Sequence, residues 1–139
     1  MTTSDDKRPS GCPIAFGLET FGDKWTLIII REMMFGGKKT YSDFLDADEA
    51  ISTNILASRL KHLETEGIVV KRRDPEYFRS FLYELTPKGL DLAPILVEII
   101  AWSGKHDTRP NRLTAMVDRV ATDRDRLLAE VRRLEPGDT

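Results

Sequence analysis

The feature that most constrains this chain is an amphipathic segment at residues 53–66. At steps of about 100° per residue, its aliphatic side chains fall on one side, and these are Ile55, Leu56, Leu60 and Leu63. The opposite side carries small or polar residues, which are Asn54, Ala57, Ser58, Lys61 and Thr65. The pattern predicts a helix that its leucines hold in a core and that shows a mostly uncharged polar face. An ordinary amphipathic helix with a solvated face is the alternative.

The residues before this segment predict a shorter helix and a tight turn. Thr40 and Asp43 have the spacing of a capping box, in which a hydroxyl and a carboxylate each bind a backbone amide at a helix start. A polar stretch at 46–49 follows, and Ser52 is well suited to cap the longer helix. We therefore expect two helices joined by a tight turn.

The residues after the segment predict a β-hairpin. Gly67 ends the helical pattern, and two runs rich in β-branched or aromatic residues follow at 68–72 and 80–85, with a turn cluster at 74–77 between them. Two helices joined by a tight turn and followed by a hairpin predict a mainly α fold with a small β-hairpin wing, the winged helix-turn-helix. That arrangement places the second helix of the pair in the major groove of DNA.

Further helical patterns are found at residues 13–22, 23–35, 86–104 and 111–134. The last of these carries a heptad-like apolar seam, broken by Arg124, that consists of Leu113, Val117, Val120, Leu127, Val131 and Leu134. Two interpretations stay open: a helix that packs on a second copy of the chain, or a helix folded back on its own domain. The charged residues 123–126 would allow this segment to split into two shorter helices.

Composition narrows the class of protein. Among 139 residues, 40% are hydrophobic and 32% charged, which suits one domain; we expect a flexible tail at 1–11, a DNA-binding domain at 12–104 and a dimerisation extension at 111–134. The net charge of −2 excludes a histone-like polycation, so any contact with nucleic acid needs a local basic patch. The single cysteine excludes an internal disulfide, and the polar N-terminus and short apolar runs predict a cytoplasmic protein without membrane contact.

The expected DNA surface combines side chains that read bases with side chains that bind phosphates. Base contacts are expected from Thr53, Asn54 and Ser58 near the helix start, where short polar side chains reach base edges. Phosphate contacts are expected from Lys38, Lys39, Thr40, Ser42, Ser52 and Lys61, and wing contacts from Arg72, Arg73 and Arg79. Arg59 lies beside the aliphatic stripe, so we expect it to pair with an acid or a phosphate rather than to read a base.

Several motifs at 12–104 occur together, in this order, in one known family. They are Cys12-Pro13, Gly22-Asp23-Lys24-Trp25-Thr26, Arg31-Glu32, Tyr41-Ser42-Asp43-Phe44, Ile51-Ser52, Leu56-Ala57-Ser58-Arg59-Leu60, Leu63-Glu64, Gly67-Ile68-Val69 and Tyr83-Glu84-Leu85-Thr86-Pro87-Lys88-Gly89. In these motifs the chain resembles the HxlR-type bacterial transcriptional regulators, a winged-helix group akin to the MarR regulators. The resemblance implies a homodimer that binds a two-fold symmetric operator in double-stranded DNA and represses or activates nearby genes.

The resemblance also carries roles onto single residues. It implies DNA contact for Ser52, Thr53, Asn54 and Ser58, and wing contact for the region of Arg79 and Ser80. When residues 83–89 are aligned, the arginine often found at the wing falls on Ser80, one position after Arg79. Because a one-residue offset turns a strand side chain to the other face, Arg79 departs from the family pattern at the wing.

Cys12 is the candidate sensor. It precedes Pro13 at the predicted start of the first helix, where the helix dipole stabilises a thiolate. Some HxlR-type regulators use a cysteine at this place to sense quinones, aldehydes or oxidants, so the resemblance implies a thiol-reactive effector; a small apolar effector is a second option. Without a second cysteine, a response needs a disulfide between subunits or a thiol adduct. An unreactive, partly buried cysteine is the alternative.

Other kinds of site find no support in the sequence. The stretch at 36–39 lacks the full pattern of a phosphate-binding loop, and His62 and His106 lack metal-ligand spacing. We therefore expect no metal, no cofactor and no enzymatic activity. The alternative to a regulator is a winged-helix protein-interaction module without DNA binding, which the pI near 5.7 slightly favours.

Overall fold

The computed structural model describes residues 10–134. The expected tail at 1–11 lies almost wholly outside the described residues. Along the described part the elements are α1 (Pro13–Phe21), α2 (Lys24–Met34), α3 (Tyr41–Leu45), α4 (Thr53–Thr65), β1 (Val69–Arg73), β2 (Phe81–Leu85), α5 (Pro87–Leu90), α6 (Ala93–His106) and α7 (Ala115–Arg132).

The helix starts follow the capping residues found in the sequence. The Asp23 carboxylate accepts a hydrogen bond from the Thr26 amide at 2.9 Å at the start of α2. Thr40 and Asp43 form a complete capping box on α3, and the Ser52 hydroxyl accepts from the Ile55 amide at 3.2 Å at the start of α4. These contacts satisfy amides that have no partner within the helix, which confirms the predicted starts.

The end of α4 leads directly into the hairpin. Gly67 has φ of 76°, and the Ile68 amide donates to the Leu63 carbonyl at 2.9 Å, which is the bond of a Schellman-type helix end. The two strands pair antiparallel, with Val69 opposite Leu85. The Tyr83 amide donates to the Lys39 carbonyl at 2.8 Å, so the base of the hairpin is fixed beside the start of α3.

One apolar core joins α2, α3, α4 and the hairpin. Its fully buried side chains include Ile30 of α2, Phe44 of α3 and Leu56 of α4, and Phe44 meets Tyr83 of β2 edge to face with centroids 6.1 Å apart. Leu56, Leu60 and Leu63 are buried, as the aliphatic stripe predicted, while Ile55 is partly buried. The helix pair and the following hairpin therefore form a winged helix-turn-helix, which confirms the predicted fold class.

The turn between α3 and α4 is held by a contact that sequence analysis did not identify. Both guanidinium NH₂ groups of Arg31 on α2 donate to the Glu49 carboxylate at 2.8 Å. Ala50, the next residue, has φ of 58°, a left-handed conformation that disfavours residues with a Cβ. The ion pair thus spans from α2 to the turn that sets the angle between α3 and α4.

The expectation of one helix at 86–104 is wrong. The structure has the short helix α5, then α6, which runs to His106 rather than to Gly104. Pro94 explains the break, because a proline has no amide hydrogen and its ring clashes with the carbonyl four residues earlier, here Leu90. A Cβ on Gly89 of α5 would lie 2.4 Å from the Ile68 carbonyl oxygen, so only glycine allows α5 to pack this closely on the hairpin.

The C-terminal helix α7 folds back on its own chain. Val120, Leu127 and Val131 are buried, packed with residues of α6 and of the main core, whereas Leu113 and Leu134 at the ends of the predicted seam are exposed. Within the chain, this packing corresponds to the second interpretation above, and the dimerisation role expected for 111–134 stays a prediction. Asp123 has non-helical angles, φ −148° and ψ 42°, so the helix is kinked within the charged stretch at 123–126, as the sequence allowed.

Candidate DNA-binding surface

The polar face of α4 is open to solvent. Thr53, Asn54, Ser58 and Lys61 are all exposed. Asn54, Ser58 and Lys61 lie on the side opposite the three buried leucines, and Thr53 is the first residue of the helix. A helix fixed from behind with exposed polar groups in front is the geometry that a major groove requires. The structure therefore leaves the three residues predicted to read bases open to solvent within the first two turns of α4.

Two side chains on the flanks of α4 tie it to the start of α2 and the end of α1. Arg59 donates to the Asp23 carboxylate through Nε at 2.8 Å and through a second nitrogen at 3.2 Å. His62 Nε2 lies 2.7 Å from the Thr20 carbonyl oxygen, so this nitrogen must carry a proton to donate. Of the two roles expected for Arg59, pairing with an acid is the one observed here.

Asp23 is the centre of this contact. The Arg59 guanidinium beside it, together with hydrogen bonds from Thr26, holds the pKa of the Asp23 carboxyl at about 2. The same carboxylate therefore caps α2 and fixes α4. The position of α4 thus depends on a charge that lies beside its polar face.

The start of α3 carries both hydroxyl and ammonium groups, but several are already engaged. The Thr40 hydroxyl accepts the capping bond from Asp43, whereas Ser42 is exposed in the first turn. Lys38 Nζ lies 2.9 Å from a Glu32 oxygen, and Lys39 Nζ lies 3.9 Å from Glu84. Lys39 is thus the more available cation of the two.

The three predicted wing arginines differ in their surroundings. Arg72 donates through two nitrogens to Glu84, each at 3.0 Å. Arg73 donates to the Phe78 carbonyl and lies over the Phe81 ring. Arg79 is exposed, and among the described residues it has no ion-pair partner. Of the three, Arg79 is therefore the most accessible to a phosphate.

Cys12 occupies the N-cap position of α1 and is exposed, so the partly buried alternative does not hold. Its backbone amide donates to the Ser10 hydroxyl at 3.3 Å. On α1 itself, Ile14, Phe16 and Leu18 are exposed and Thr20 is the buried residue.

Sequence analysis did not identify the contacts that position this surface. Arg31, Glu49 and Glu84 hold the turn and the hairpin, and the Tyr41 hydroxyl donates to the Thr53 carbonyl at 2.9 Å. These partners are far apart in sequence, so no local spacing pointed to them. Residues 10–134 contain neither a cluster of His, Cys, Asp or Glu that would hold a metal ion nor a helix long and apolar enough to cross a membrane.

Comparison with known proteins places this geometry in a family. The model of HxlR-like helix-turn-helix proteins matches residues 20–111. The chain is 35% identical over 86 residues to the HTH-type transcriptional regulator sll1512 of Synechocystis sp., a match that covers 62% of this chain and 63% of that protein. This chain therefore spans slightly less than two thirds of the length of that relative.

Solved structures give the same assignment. The reduced form of the transcriptional regulator YodB from B. subtilis superposes with a TM-score of 0.58 at 28% identity, covering 74% of this chain and all 100% of that one. The redox regulator HypR in its oxidised form superposes with a TM-score of 0.59 at 30% identity, covering 68% and 97% of the two chains. These matches confirm the resemblance found in the sequence motifs, and the chain belongs to the HxlR-like helix-turn-helix family of transcriptional regulators.

Proposed function

We propose that this protein is a cytoplasmic, sequence-specific DNA-binding regulator that inserts α4 into the major groove. The observation that carries the proposal is the exposed polar face of α4 opposite three buried leucines. Thr53, Asn54 and Ser58 would read base edges. Their short hydroxyl and amide side chains offer donors and acceptors for base edges, and they reach those edges once the helix itself lies in the groove.

Phosphate contacts would fix α4 in register on the duplex. Lys39 and Ser42 lie at the start of α3, Ser52 lies at the start of α4, and Lys61 lies on the polar face. Their ammonium and hydroxyl groups, with the backbone amides of the helix starts, suit phosphate oxygens. Arg59 contributes by holding α4 through Asp23.

The active form that we infer is a homodimer on a two-fold symmetric operator. Large apolar side chains are exposed on α1 and α6: Ile14 is 72% exposed and Trp102 is 65% exposed, with Phe16, Leu18, Ile95 and Ile99 also exposed. A surface of this kind on a small chain is typical of a protein–protein interface. A second copy would cover it and would place two α4 helices on successive half-sites.

The test is selection of a preferred site from a pool of random duplexes, followed by gel-shift titration. We expect Asn54→Ala and Ser58→Ala each to lose about 1–3 kcal/mol of discrimination between the selected duplex and a scrambled one. Lys39→Ala should weaken binding to both duplexes alike and reduce the slope of log K against log salt by about one. Lys105→Ala, a cation of α6 outside the proposed surface, is the matched control.

Unchanged site preference in both α4 variants would remove the base-reading assignment. A wild-type protein that selects no duplex and binds none in a salt-dependent manner would favour the interaction module instead.

We also propose that thiol modification at Cys12 regulates binding. The exposed thiol at the start of α1 supports this proposal, as does the likeness to a redox regulator solved in its oxidised form. The Cys12 thiolate would add to a ring carbon of a quinone and form a thioether. Diamide would instead accept two electrons and two protons from the Cys12 thiols of two subunits. The products would be an intersubunit disulfide and a hydrazine. Gel shift of wild type and Cys12→Ser with each reagent is the test, and an equal response of both proteins would end this proposal.

A further inference from the structure

A cleft lies where the end of α2, the base of the hairpin and the end of α7 meet. It encloses about 220 Å³. Its apolar wall consists of Met33 of α2, Leu85 of β2 and Leu134, which follows α7. Met33 and Leu85 are buried, whereas Leu134 is 43% exposed. Ligand sites are usually concave and mostly apolar with volumes of about 300–1,000 Å³, so this cleft suits a ligand smaller than a typical drug.

Backbone hydrogen bonds hold the walls of the cleft in place. The Tyr83 amide donates to the Lys39 carbonyl at 2.8 Å, which fixes the segment between α2 and α3 along β2. The Leu134 amide donates to the Val131 carbonyl at 2.9 Å, and Val131 is buried in the main core. The cleft is therefore a preformed feature of the fold.

Cations outnumber acids among the residues that line this cleft. The cations are Lys38, Lys39 and Arg133, and the acid is Glu84. The Glu84 carboxylate already accepts two hydrogen bonds from Arg72, each at 3.0 Å. Nearby, the Asp43 carboxylate is used in the capping box of α3. The lining thus has an excess of positive charge, which favours an anion as the ligand.

Two of the three cations are available to such a ligand. Lys38 Nζ is held by a Glu32 oxygen at 2.9 Å. The Lys39 side chain is 55% exposed, and its Nζ lies 3.9 Å from the nearest Glu84 oxygen. Arg133 is exposed and forms no ion pair among residues 10–134. Lys39 and Arg133 can therefore both turn to an anion in the cleft.

The helix ends beside the cleft offer another role for these cations, because the last carbonyls of a helix carry partial negative charge. Several of those carbonyls are already bonded within the chain. The Phe35 amide donates to the Arg31 carbonyl at 2.9 Å, and the Arg133 amide donates to the Glu130 carbonyl at 3.2 Å. Side-chain cations are thus not needed to satisfy them.

We propose that the cleft binds a small organic anion that carries one carboxylate on an apolar ring. Lys39 and Arg133 would hold the carboxylate, since charge-assisted hydrogen bonds from such cations are the strong ones. The ring would pack on the apolar wall. Because Lys39 is also a proposed phosphate contact, the bound carboxylate would neutralise it and weaken DNA binding. This last step rests on the proposed function, whereas binding of the anion does not.

The first test is an NMR titration of the full chain with benzoate as the probe. The amide signals of Gly37, Lys38 and Leu134 should shift, with a dissociation constant of about 1 mM or lower. Benzyl alcohol lacks the charge and acetate lacks the ring, so each should bind about tenfold more weakly or worse. Absence of shifts at the cleft, or equal affinity for all three compounds, would overturn the inference.

The second test repeats the benzoate titration with variants at the end of α7. Arg133→Ala should weaken benzoate binding about three- to tenfold. Arg132→Ala is the matched control, because the Arg132 guanidinium donates to Asp91 at 3.1 Å and does not line the cleft. The control should bind benzoate as wild type does.

Wild-type benzoate affinity in Arg133→Ala would overturn the inference, and two further measurements would then give the role of the arginine. A lower unfolding temperature in that variant would assign Arg133 to the end of α7. Weaker binding to the selected duplex without benzoate would assign it to a DNA phosphate.

The third test measures the effect of the anion on DNA binding by gel shift with the selected duplex. Benzoate at about ten times its dissociation constant should lower wild-type affinity about threefold or more beyond the effect of equal sodium chloride, since two competing ligands weaken each other reciprocally. The decrease should be smaller in Arg133→Ala. Binding of benzoate with unchanged duplex affinity would overturn the regulatory step. A wild type that binds benzoate but no duplex would support the anion site and overturn the proposed function instead.

Discussion

At the scale of single residues, two carboxylates hold α4 and the turn that precedes it. Asp23 accepts from the Thr26 amide and from Arg59, so one side chain serves both α2 and α4. Glu49 accepts from Arg31, whose hydrogen bonds lower the pKa of Glu49 to about 2. Both carboxylates must stay ionised for these contacts to persist.

The prediction that follows concerns Asp23→Asn. Asparagine also caps helices well, so this variant removes the charge pair with Arg59 more than the cap. The folded-state pKa of Asp23, about 2, is below its ordinary value of 3.8, so the contribution is complete above about pH 4 and is lost as the pH falls through 2. We expect a free energy of unfolding lower by less than about 1 kcal/mol at pH 7, since the pair is partly exposed.

Urea unfolding of wild type and Asp23→Asn at several pH values is the measurement. The two free energies should converge as the pH approaches about 2. Asp48→Asn, a change at an exposed acid, is the control and should show no such convergence. A constant difference between wild type and Asp23→Asn across the acid range would contradict this account.

At the scale of elements, the turn between α3 and α4 contains a strained backbone conformation. Ala50 has φ of 58°, and its amide donates to the Ala47 carbonyl at 2.9 Å. A residue with a Cβ in this conformation costs about 1–2 kcal/mol. The Arg31–Glu49 pair and the burial of Ile51 on either side maintain it.

Ala50→Gly should relieve this strain. Because glycine also has more freedom to lose on folding, we expect the free energy of unfolding to stay equal or to rise by up to about 1 kcal/mol. Ala50→Val should lower it, since a β-branched residue is least tolerated at positive φ. Guanidinium unfolding of both variants measures the two effects, and equal stability of the glycine and valine variants would show that the turn is not strained.

At the scale of the whole molecule, α6 has one apolar side that the chain buries and another that is exposed. The inner side of α6, with Leu96 and Val97, is covered by the chain's own elements, including α7, whereas Ile95, Ile99 and Trp102 face outward. Ile14, Phe16 and Leu18 of α1 also face outward. The chain thus has a completed core and an uncovered helical face.

Trp102→Glu should weaken a homodimer formed through that face. Large aromatic side chains dominate such interfaces, so we expect the dimer dissociation constant to rise about tenfold or more, measured by sedimentation equilibrium. Affinity for a site with two half-sites should fall in parallel. Ala129→Asp on α7 is an exposed control; an unchanged dimer in Trp102→Glu would exclude this face as the interface.

The local pattern of the chain was sufficient to determine much of this protein. The caps at Asp23, Thr40 and Ser52, the leucine stripe of α4 and the hairpin runs each depend on neighbours within a few residues, so the winged helix-turn-helix followed from them. The break at Leu90 was also readable from Pro94, although the helical pattern of 86–104 concealed it.

Only the tertiary structure decided the rest, because it depended on partners distant in sequence. Arg59 turns to Asp23 rather than to solvent, Arg72 and Arg73 are occupied by Glu84 and the Phe78 carbonyl, and α7 closes on its own core. The sequence shows which side chains carry charge or apolar area. The folded structure sets the distances between these groups. Those distances decide whether a group is bonded within the chain or is available to DNA or to a second copy.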